Sequence, residues 1–315
     1  MRSLKKSTLD AVLRELDQLP TEQDNPRSAD LDMQPALAIA RTINREDRTV
    51  AGVVEHALPE IARAIDWVAE AFSRGGRLIY VGAGTSGRLA ALDALECPPT
   101  FDVSPNMVQF IMAGGPMALV KAIEADEDSR TLGVREIRKK KPKQNDVVVG
   151  IAASGRTPFT VAAVEYAKRR GARTIAVSCN RNTPLGRAAD LAIVVETGPE
   201  VVSGSTRMKA GTAQKMVLNM ISTGAMVRMG YVYGNLMVNL DQKNSKLTAR
   251  ALTIVQRALK TSRLRARRAL EAANHSVPVA IVMAQAGVSR REAESVLKIS
   301  HGYVRQAIAL APKMH

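Results

Sequence analysis

Between Gly76 and Val195 the sequence alternates short apolar runs with helical segments, and this alternation constrains the fold more than any other feature. Continuous apolar runs are typical of strands that are buried on both faces of a sheet. Helical segments such as Val161–Arg170 lie between most of the runs, as βαβ units require. The predicted strands are Arg77–Val81, Val108–Met112, Asp146–Ile151, Arg173–Val177 and Leu191–Val195. The sequence therefore predicts an α/β fold in which helices cover both faces of a five-stranded parallel sheet.

Helical spacing of apolar residues flanks this region on both sides. On the N-terminal side, Ser28–Ile43 and Val50–Phe72 are predicted helices, and Met1–Leu19 is a charged segment with a helical pattern. On the C-terminal side, a long helix is predicted from about Lys209 to Met229.

The last 75 residues are also predicted to be helical. Leu247–Leu270 is predicted to form one Arg-rich amphipathic helix. Ser289 and Glu292 have the capping-box spacing that opens a further helix. The predicted domains are a helical arm over residues 1–48, the α/β domain over residues 49–240 and a helical subdomain over residues 241–315.

The net charge of +15 is concentrated in this C-terminal segment, which holds 14 Lys and Arg against 4 Asp and Glu between Asp241 and His315. A basic surface of this kind attracts anionic partners, including nucleic acid. The alternative is a solvated basic helix face, and we favour it. Tyr303 is the only aromatic residue of the segment, so no platform for base stacking is present. Nucleic acid is therefore not expected as a partner.

Several classes of protein are disfavoured by what the sequence contains. Met1–Leu19 lacks the apolar core of a signal peptide, and no stretch approaches the roughly 18 uninterrupted apolar residues of a membrane span. Cys97 and Cys179 lie far apart and have no redox or metal-binding spacing. We therefore expect a cytoplasmic protein without a membrane partner. The histidines show no metal-ligand spacing, so no metal is expected, and they are His56, His275, His301 and His315.

The loop after the first predicted strand, Gly82–Arg88, fits the pattern G-x-G-x-x-G. The same pattern occurs in dinucleotide-binding folds, which also place an acid at the end of the next strand to hold the ribose. Here the next strand, Val108–Met112, ends in Ala113-Gly114-Gly115 and offers no acid. A nicotinamide cofactor is therefore disfavoured.

Two further loops repeat this composition: Ile151–Thr157 follows the third predicted strand, and Ser203–Lys209 opens the long helix. Small hydroxyls, glycine and arginine at helix N-termini suit a dianionic phosphate. One such loop is often only a turn with a helix cap, but three loops in one α/β domain predict a sugar-phosphate pocket. The candidate binding residues are Gly84, Thr85, Ser86, Gly87, Ser154, Arg156, Thr157, Ser205, Thr206, Arg207 and Lys209.

Several long motifs carry a resemblance to a known family. They are Gly76–Arg88, Glu96–Thr100, Ile151–Pro158, Gly198–Glu200, Gly204–Lys215 and Gly234–Val238. With them the chain resembles the N-acetylmuramic acid 6-phosphate etherases, from about Thr21 to its C-terminus. The Gly204–Lys215 segment is also similar to a signature of the larger glucokinase regulatory proteins. The resemblance implies the sugar isomerase (SIS) fold, a three-layer αβα sandwich, with N-terminal helices and a C-terminal helical subdomain attached.

The resemblance also implies a reaction. This is cleavage of the D-lactyl ether at C3 of N-acetylmuramic acid 6-phosphate to N-acetylglucosamine 6-phosphate and D-lactate, in recycling of cell-wall amino sugars. By motif, the family's two catalytic glutamates fall on Glu96 and Glu127. Leu95 stands where the family usually has serine, and Ala125-Asp126 stands where it usually has Gly-Ala. Asp126 is therefore a rival to Glu127 as the base.

The implied reaction needs two carboxylates but no redox cofactor and no metal. The aldehyde at C1 of the open sugar acidifies the proton on C2, which a base can remove. An acid then protonates the departing lactate oxygen, and water adds across the double bond. Two carboxyl groups with different pKa values are suited to these roles.

Two alternatives to an etherase remain at this stage. One is a non-catalytic sugar-phosphate sensor on the same fold, although the regulatory relatives carry two SIS domains in a chain about twice as long. The other is a nucleic-acid-binding regulator, in which the basic C-terminal segment would have to bind the nucleic acid.

We also expect a homodimer with a shared active site. A helix from Gly87 to about Leu95 would carry Glu96 about 13 Å from the glycine loop of its own chain. Delivery of Glu96 by a symmetry-related subunit is the simpler arrangement.

Overall fold

The computed structural model describes residues 19–121, 123, 125–240 and 245–311, except for the side chain of Lys246. The helical pattern of Met1–Leu19 lies outside these residues, apart from Leu19. The chain divides into two compact units. The first contains the residues up to Ala94 and Val108–Ile221, and the second contains Leu95–Met107 and the residues from Ser222 onward. The predicted domain limits at residues 49 and 241 stay a prediction.

A five-stranded, all-parallel sheet forms the centre of the first unit, as the sequence predicts. Its strands are β1 Leu78–Gly82, β2 Val108–Met112, β3 Val147–Ile151, β4 Arg173–Ser178 and β5 Leu191–Val194. The spatial order is β2-β1-β3-β4-β5, so the chain moves from β1 to one side and returns on the other. Open α/β sheets bind ligands at such a change of direction, outside the carboxyl ends of the strands. In this sheet, that point lies between β1 and β3.

Helices cover both faces of this sheet, which confirms the predicted three-layer sandwich. Phe159 and Ile137 pack on Ile79 and Val81 on one face, where all four side chains are buried. The helices are α1 Ala36–Glu55, α2 Leu58–Ser73, α3 Gly84–Phe101, α4 Arg130–Lys140, α5 Pro158–Arg169, α6 Pro184–Ala188 and α7 Lys209–Arg228. Helix α7 has the bounds that the sequence predicts, to within a residue.

The N-terminal helices differ from the prediction in their limits. Before α1 the described chain forms three 3-10 turns, Pro20–Glu22, Pro26–Ser28 and Leu31–Met33, so the helix predicted over Ser28–Ile43 begins only at Ala36. The predicted break between residues 43 and 50 is wrong, because α1 continues to Glu55. The break comes instead just before α2, which has a proline in its first two positions. The proline ring clashes with the preceding turn of a helix, so proline is favoured at a helix start and disfavoured in the interior.

Helix α3 also departs from the prediction, since it does not end near Leu95. It continues through Pro98 and Pro99 to Phe101, and the chain leaves it at Asp102, whose φ is 53°. Glu96 therefore lies inside a helix and not in a turn. Proline keeps a φ close to the helical value, so the fold accommodates the two prolines at the cost of their missing hydrogen bonds.

The second unit is mainly helical and includes a short antiparallel hairpin, β6 Val232–Tyr233 and β7 Leu236–Met237. Its core contains Val255, Ile281 and Val296, all fully buried. The helices that follow the hairpin are α8 Ser245–Ala258, α9 Arg263–Ala272, α10 Val277–Ala286, α11 Arg290–Ile299 and α12 Val304–Leu310.

The single helix predicted over Leu247–Leu270 is wrong, because the segment forms α8 and α9. Lys260 has a φ of 47°, which a right-handed helix cannot contain, and Ser262 caps α9 by accepting a hydrogen bond from Arg265 N. The capping box of Ser289 and Glu292 is confirmed. No helix among the described residues is both long and apolar enough to cross a membrane.

Candidate functional site

The first two predicted loops begin at adjacent strand ends. Gly82 at the end of β1 pairs with Ile151 at the end of β3, and the glycine loop and the Ser154 loop start directly after them. The third loop, Ser203–Lys209, follows β5 at the far edge of the sheet and opens α7. The topology therefore brings the first two loops together at the point where ligands bind in sheets of this kind.

Close packing in the glycine loop explains why it contains so many glycines. Gly84 has a φ of +52°, a conformation that side chains disfavour. A Cβ on Gly82 would lie 2.8 Å from Gly87 N, and a Cβ on Gly87 would lie 2.7 Å from Met112 Cγ. Ser86 is buried in the first turn of α3, and its Oγ donates to Gln214 Oε1 over 2.9 Å.

Glu127 lies against this loop. Its Oε1 is 3.2 Å from the position that a Cβ on Gly84 would occupy, so only a glycine leaves this space to the carboxylate. Its main-chain carbonyl accepts a hydrogen bond from Phe159 N, in the first turn of α5, over 3.0 Å. Glu127 thus contacts both the first loop and the helix that the second loop opens. Asp126, the rival base, is half-buried beside it.

The second loop leads into helix α5, whose N-cap residue makes no side-chain capping bond. Helix α5 begins at Pro158, and Thr157 makes no capping hydrogen bond to it. Gly155 has a φ of +67°, and a Cβ there would lie 2.5 Å from Thr183. Ser154 Oγ accepts from Arg156 N over 3.3 Å, which shapes the turn. Ser154, Arg156 and Thr157 are all half-buried, as side chains that line an opening would be.

The third loop has a different environment. The carboxylate of Glu200 accepts hydrogen bonds from Lys209 N and Ala210 N, each over 2.9 Å, and so caps the start of α7. Glu200 is fully buried. Burial raises the pKa of Glu200, and the hydrogen bonds from Ala210 and Lys209 partly offset that rise. The N–H groups that the sequence would offer to a phosphate here are bonded within the protein.

Lys209 is likewise engaged inside the protein. Its Nζ lies 2.7 Å from Glu46 Oε2 on α1, and the two side chains are only 4% and 3% exposed. Asn25 Nδ2 also donates to Glu46 Oε2, and Arg27 pairs with Oε1, both over 3.0 Å. Burial opposes ionisation of Glu46, but the hydrogen bonds from Lys209 and Asn25 and the nearby positive charges lower its pKa. The structure places the Lys209 ammonium in a buried network and not at the strand ends.

The other predicted residues of the third loop lie nearer the surface. Ser205 and Thr206 are half-buried and Arg207 is exposed. Thr206 O accepts from Gly211 N over 3.0 Å, which continues the backbone into α7.

Glu96 lies in the second unit, on α3, and its side chain is exposed. Two apolar neighbours on the same helix are also exposed, Leu92 to 50% and Leu95 to 60%.

Comparison with known proteins identifies the family. Residues 60–168 match the glucokinase regulatory protein N-terminal SIS domain, and residues 140–223 match the SIS domain. The chain is 49% identical over 292 residues to the N-acetylmuramic acid 6-phosphate etherase of Aeromonas hydrophila subsp. hydrophila, which covers 93% of this chain and 98% of that protein. It is 47% identical to the enzyme of that name in Bacillus subtilis, over 93% of this chain and 96% of that protein.

The chain belongs to the N-acetylmuramic acid 6-phosphate etherase family.

Among solved structures, a phosphoheptose isomerase from Francisella tularensis matches this etherase-family chain with a TM-score of 0.50 and 16% sequence identity. The match covers 62% of this chain and all of that one. At this identity the likeness concerns the fold alone, and it agrees with the SIS fold that the motifs imply. Both the predicted family and the predicted fold are confirmed.

Sequence reasoning missed three residues that contact the predicted loops: Glu46, Glu200 and Gln214. A single glutamate or glutamine in a helical or loop segment is usually solvated, so its type alone carries no signal. Glu200 and Gln214 stand in the family motifs Gly198–Glu200 and Gly204–Lys215, and the motifs were the available indication for both. Glu46 lies in no such motif and is identified only through its partner Lys209, 163 residues away.

Proposed function

We propose that the protein cleaves the D-lactyl ether of N-acetylmuramic acid 6-phosphate, with water, to N-acetylglucosamine 6-phosphate and D-lactate. This reaction would serve the recycling of cell-wall amino sugars. The identity of 49% to a protein of that name, over 98% of its length, supports the assignment. The structural observation that carries it is the Glu127 carboxylate, held against the glycine loop at the β1–β3 strand ends.

In this proposal the 6-phosphate lies against the first two loops. Gly84, Thr85, Ser86 and Gly87 form one side, and Ser154, Arg156 and Thr157 form the other. Pro158 has no N–H and Phe159 N donates to Glu127 O, so the start of α5 would favour an anion mainly through the helix dipole. Ser205, Thr206 and Arg207 would contact the same sugar phosphate from the third loop, whereas Lys209 would act only through its pairing with Glu46.

Glu127 is the proposed base. With the phosphate beside the glycine loop, a carboxylate 3.2 Å from a Cβ position on Gly84 lies close to the bound sugar. It would take the proton from C2 of the open-chain sugar, the C3–O bond would break, and the electron pair of that bond would leave with the lactate oxygen. Water would then add to C3 and a proton would return to C2. Asp126 would be the base only if Glu127 proved dispensable.

Glu96 is the proposed acid, and we assign it to the partner subunit of a homodimer. Glu96 lies far along the helix that begins at Gly84, about 18 Å from its first residue. The exposed Leu92 and Leu95 beside it would be covered by a second copy of this chain. That copy would place its Glu96 near the lactate oxygen, so that each site would contain two carboxylates from different chains.

A cytoplasmic location also belongs to this proposal. Its support is that Cys97 and Cys179 are both buried thiols, as is common in a reducing compartment.

A lactate assay tests the activity. The purified protein is incubated with N-acetylmuramic acid 6-phosphate, and D-lactate is measured enzymatically. The controls are unphosphorylated N-acetylmuramic acid and the variant Glu127→Gln. We expect D-lactate to be released only when the phosphorylated sugar is incubated with the unmodified protein. If the phosphorylated sugar bound without releasing lactate, the protein would be a sensor and not an etherase.

A mixing experiment tests the shared site. The inactive variants Glu96→Gln and Glu127→Gln are combined under conditions in which subunits exchange, and exchange is verified with labelled chains. If each site takes its carboxylates from different chains, some mixed dimers contain one intact site and lactate release partly returns. A mixture that stays inactive despite verified exchange would show that both carboxylates come from one chain. The conclusion from the lactate assay would still hold.

A further inference from the structure

The hydroxyl of Ser86 is in contact with a buried amide. Ser86 Oγ lies 2.9 Å from Gln214 Oε1, and both residues are buried, in the first turn of α3 and the second turn of α7. A serine hydroxyl carries one proton. While Ser86 donates that proton to Gln214, it has none to donate to a phosphate oxygen. The role proposed above for Ser86 therefore depends on what Gln214 presents to it.

The other end of the same amide is unsatisfied. Gln214 Nε2 is buried and has no hydrogen-bond partner among the described residues. Buried N–H groups without a partner are rare in native proteins, because each loses its bonds to water without replacement. The atom is also inaccessible, so a ligand cannot supply the missing acceptor directly.

A half-turn of the Gln214 carboxamide changes this arrangement. The oxygen and nitrogen of an amide are similar in size and exchange places on rotation about the last side-chain bond. Nε2 then donates to Ser86 Oγ, and the proton of Ser86 is released to point elsewhere. A buried carbonyl oxygen is then left unsatisfied in place of the N–H. Of the two, the unsatisfied carbonyl oxygen is the more tolerated.

The surrounding contacts hold Gln214 in reach of Ser86. One turn earlier on α7, a Cβ on Gly211 would lie 3.4 Å from Thr85 Cγ2, so the two helices approach closely there. Further along, Asn219 Nδ2 donates to Asp93 Oδ1 over 2.6 Å, and Tyr80 donates to the other oxygen of Asp93 over 2.8 Å. These contacts fix the two helices relative to each other in the region of Ser86, and the amide keeps only its rotation.

We propose that Gln214 is a positioning residue for phosphate binding: its amide nitrogen donates to Ser86 Oγ when the sugar phosphate is bound and so directs the Ser86 proton to a phosphate oxygen. Gln214 does not contact the substrate itself. This inference rests on the proposed function, since it needs Ser86 to bind the 6-phosphate.

The test compares four proteins for KM and kcat with N-acetylmuramic acid 6-phosphate: the unmodified protein, Ser86→Ala, Gln214→Met and the double variant. Methionine keeps the length of the side chain and removes the amide. Loss of a charge-assisted hydrogen bond should raise KM about 10- to 100-fold in Ser86→Ala, and loss of its orientation should raise KM about fivefold in Gln214→Met. In the Ser86→Ala background, Gln214→Met should have no further effect on KM. Gln256→Met, on α8, is the control for the substitution itself.

A second variant keeps the test decisive if Gln214→Met folds poorly. Gln214→Glu retains the shape of the side chain, but an ionised carboxylate only accepts, so it holds the Ser86 proton away from the phosphate. As the pH falls, the introduced carboxyl group becomes protonated and can donate. The ratio of its KM to that of the unmodified protein, measured at each pH, should therefore fall with pH. A purely structural role would not produce this dependence.

The outcomes separate this inference from the proposed function. If the unmodified protein releases no lactate, the proposed function fails. If Ser86→Ala leaves KM unchanged, the phosphate role of Ser86 fails and the role of Gln214 fails with it. Two further outcomes would overturn only the inference about Gln214. In the first, Ser86→Ala raises KM but Gln214→Met does not. In the second, Gln214→Met raises KM by the same factor whether or not Ser86 is present. A pH-independent KM ratio for Gln214→Glu would overturn it as well.

Discussion

The loops that open α5 and α7 have similar compositions but opposite roles in the fold. Both contain glycine, small hydroxyls and an arginine before a helix. At α5 the N-cap Thr157 makes no side-chain capping bond and Phe159 N donates to the Glu127 main-chain carbonyl, whereas at α7 the carboxylate of Glu200 accepts from two N–H groups. The comparison teaches that composition indicates which donors a loop can offer. Whether they are offered to a ligand is decided by a residue outside the loop.

A glutamate lies near each of these helix starts, and the two are used differently. Glu200 accepts with its side chain, so both of its carboxylate oxygens are bonded to N–H groups at the start of α7. Glu127 accepts from Phe159 N with its main-chain carbonyl, and its carboxylate Oε1 lies beside Gly84 in the glycine loop.

The largest expected effect separates these two glutamates. Glu127→Gln should lower kcat by about 100-fold or more, because an amide cannot remove the C2 proton, and should leave the melting temperature nearly unchanged. Glu200→Gln should do the reverse and lower stability by about 1 kcal/mol, because one of the two capping bonds loses its acceptor. Lactate release per folded molecule and thermal melting of both variants measure this. Loss of turnover in folded Glu200→Gln would contradict the comparison.

The next effect concerns the buried pair behind the third loop. Lys209→Met should lower the free energy of unfolding by about 3 kcal/mol, since Glu46 loses a buried partner and retains Arg27 and Asn25. KM of the folded variant should stay near that of the unmodified protein. Lys215→Met, on the exposed face of α7, is the matched control and should change little. Denaturant unfolding gives the comparison. A large rise in KM with unchanged stability would instead place Lys209 at the phosphate.

A smaller effect distinguishes the hydroxyls of the two loops. Ser154→Ala should raise KM about tenfold, because a hydrogen bond to a charged phosphate is lost, and should leave stability unchanged. Ser205→Ala should raise KM by less than about threefold if the third loop contacts the phosphate only at its edge. Steady-state kinetics with the phosphorylated sugar measures both. Equal effects would mean that the two loops contribute alike.

The smallest expected effect is on the pH dependence of stability. The pKa of Glu46 is lowered from its ordinary value of 4.5, so the stability it contributes is present above that value and is lost as the pH falls below it. The pKa of Glu200 is raised, so this carboxyl favours the unfolded state as the pH rises above 4.5. Melting temperatures between about pH 7 and pH 4 should therefore fall less for Glu46→Gln than for the unmodified protein. An unaltered acid dependence would show that Glu46 makes no such contribution.

Much of the fold could be predicted because its signals are local. Each strand is a short apolar run, and the glycines of Gly82–Gly87 are required by contacts within one turn and its neighbouring strand. Helix limits were harder, because a single backbone angle decides them. The positive φ of Lys260 divides α8 from α9, and lysine as a residue type does not predict a positive φ.

The site shows the same division. Ser86, Ser154 and Thr157 could be proposed from their positions after strands, and Glu96 and Glu127 from family motifs. The buried pairing of Lys209 with Glu46 could not have been predicted in this way. Its partner Glu46 lies on α1, 163 residues away, and a lysine beside a hydroxyl-rich loop is a reasonable phosphate ligand by composition.

The sequence by itself determined the parallel sheet, the loops at its carboxyl edge and the family, because apolar periodicity and glycine spacing act over a few residues. Only the tertiary structure decided which polar groups those loops keep available. Glu200 caps α7, Glu46 pairs with Lys209, and Gln214 contacts Ser86. Each of these contacts joins segments that are distant in sequence, and burial makes each of them energetically important, because a polar group removed from water must find its partner inside the protein.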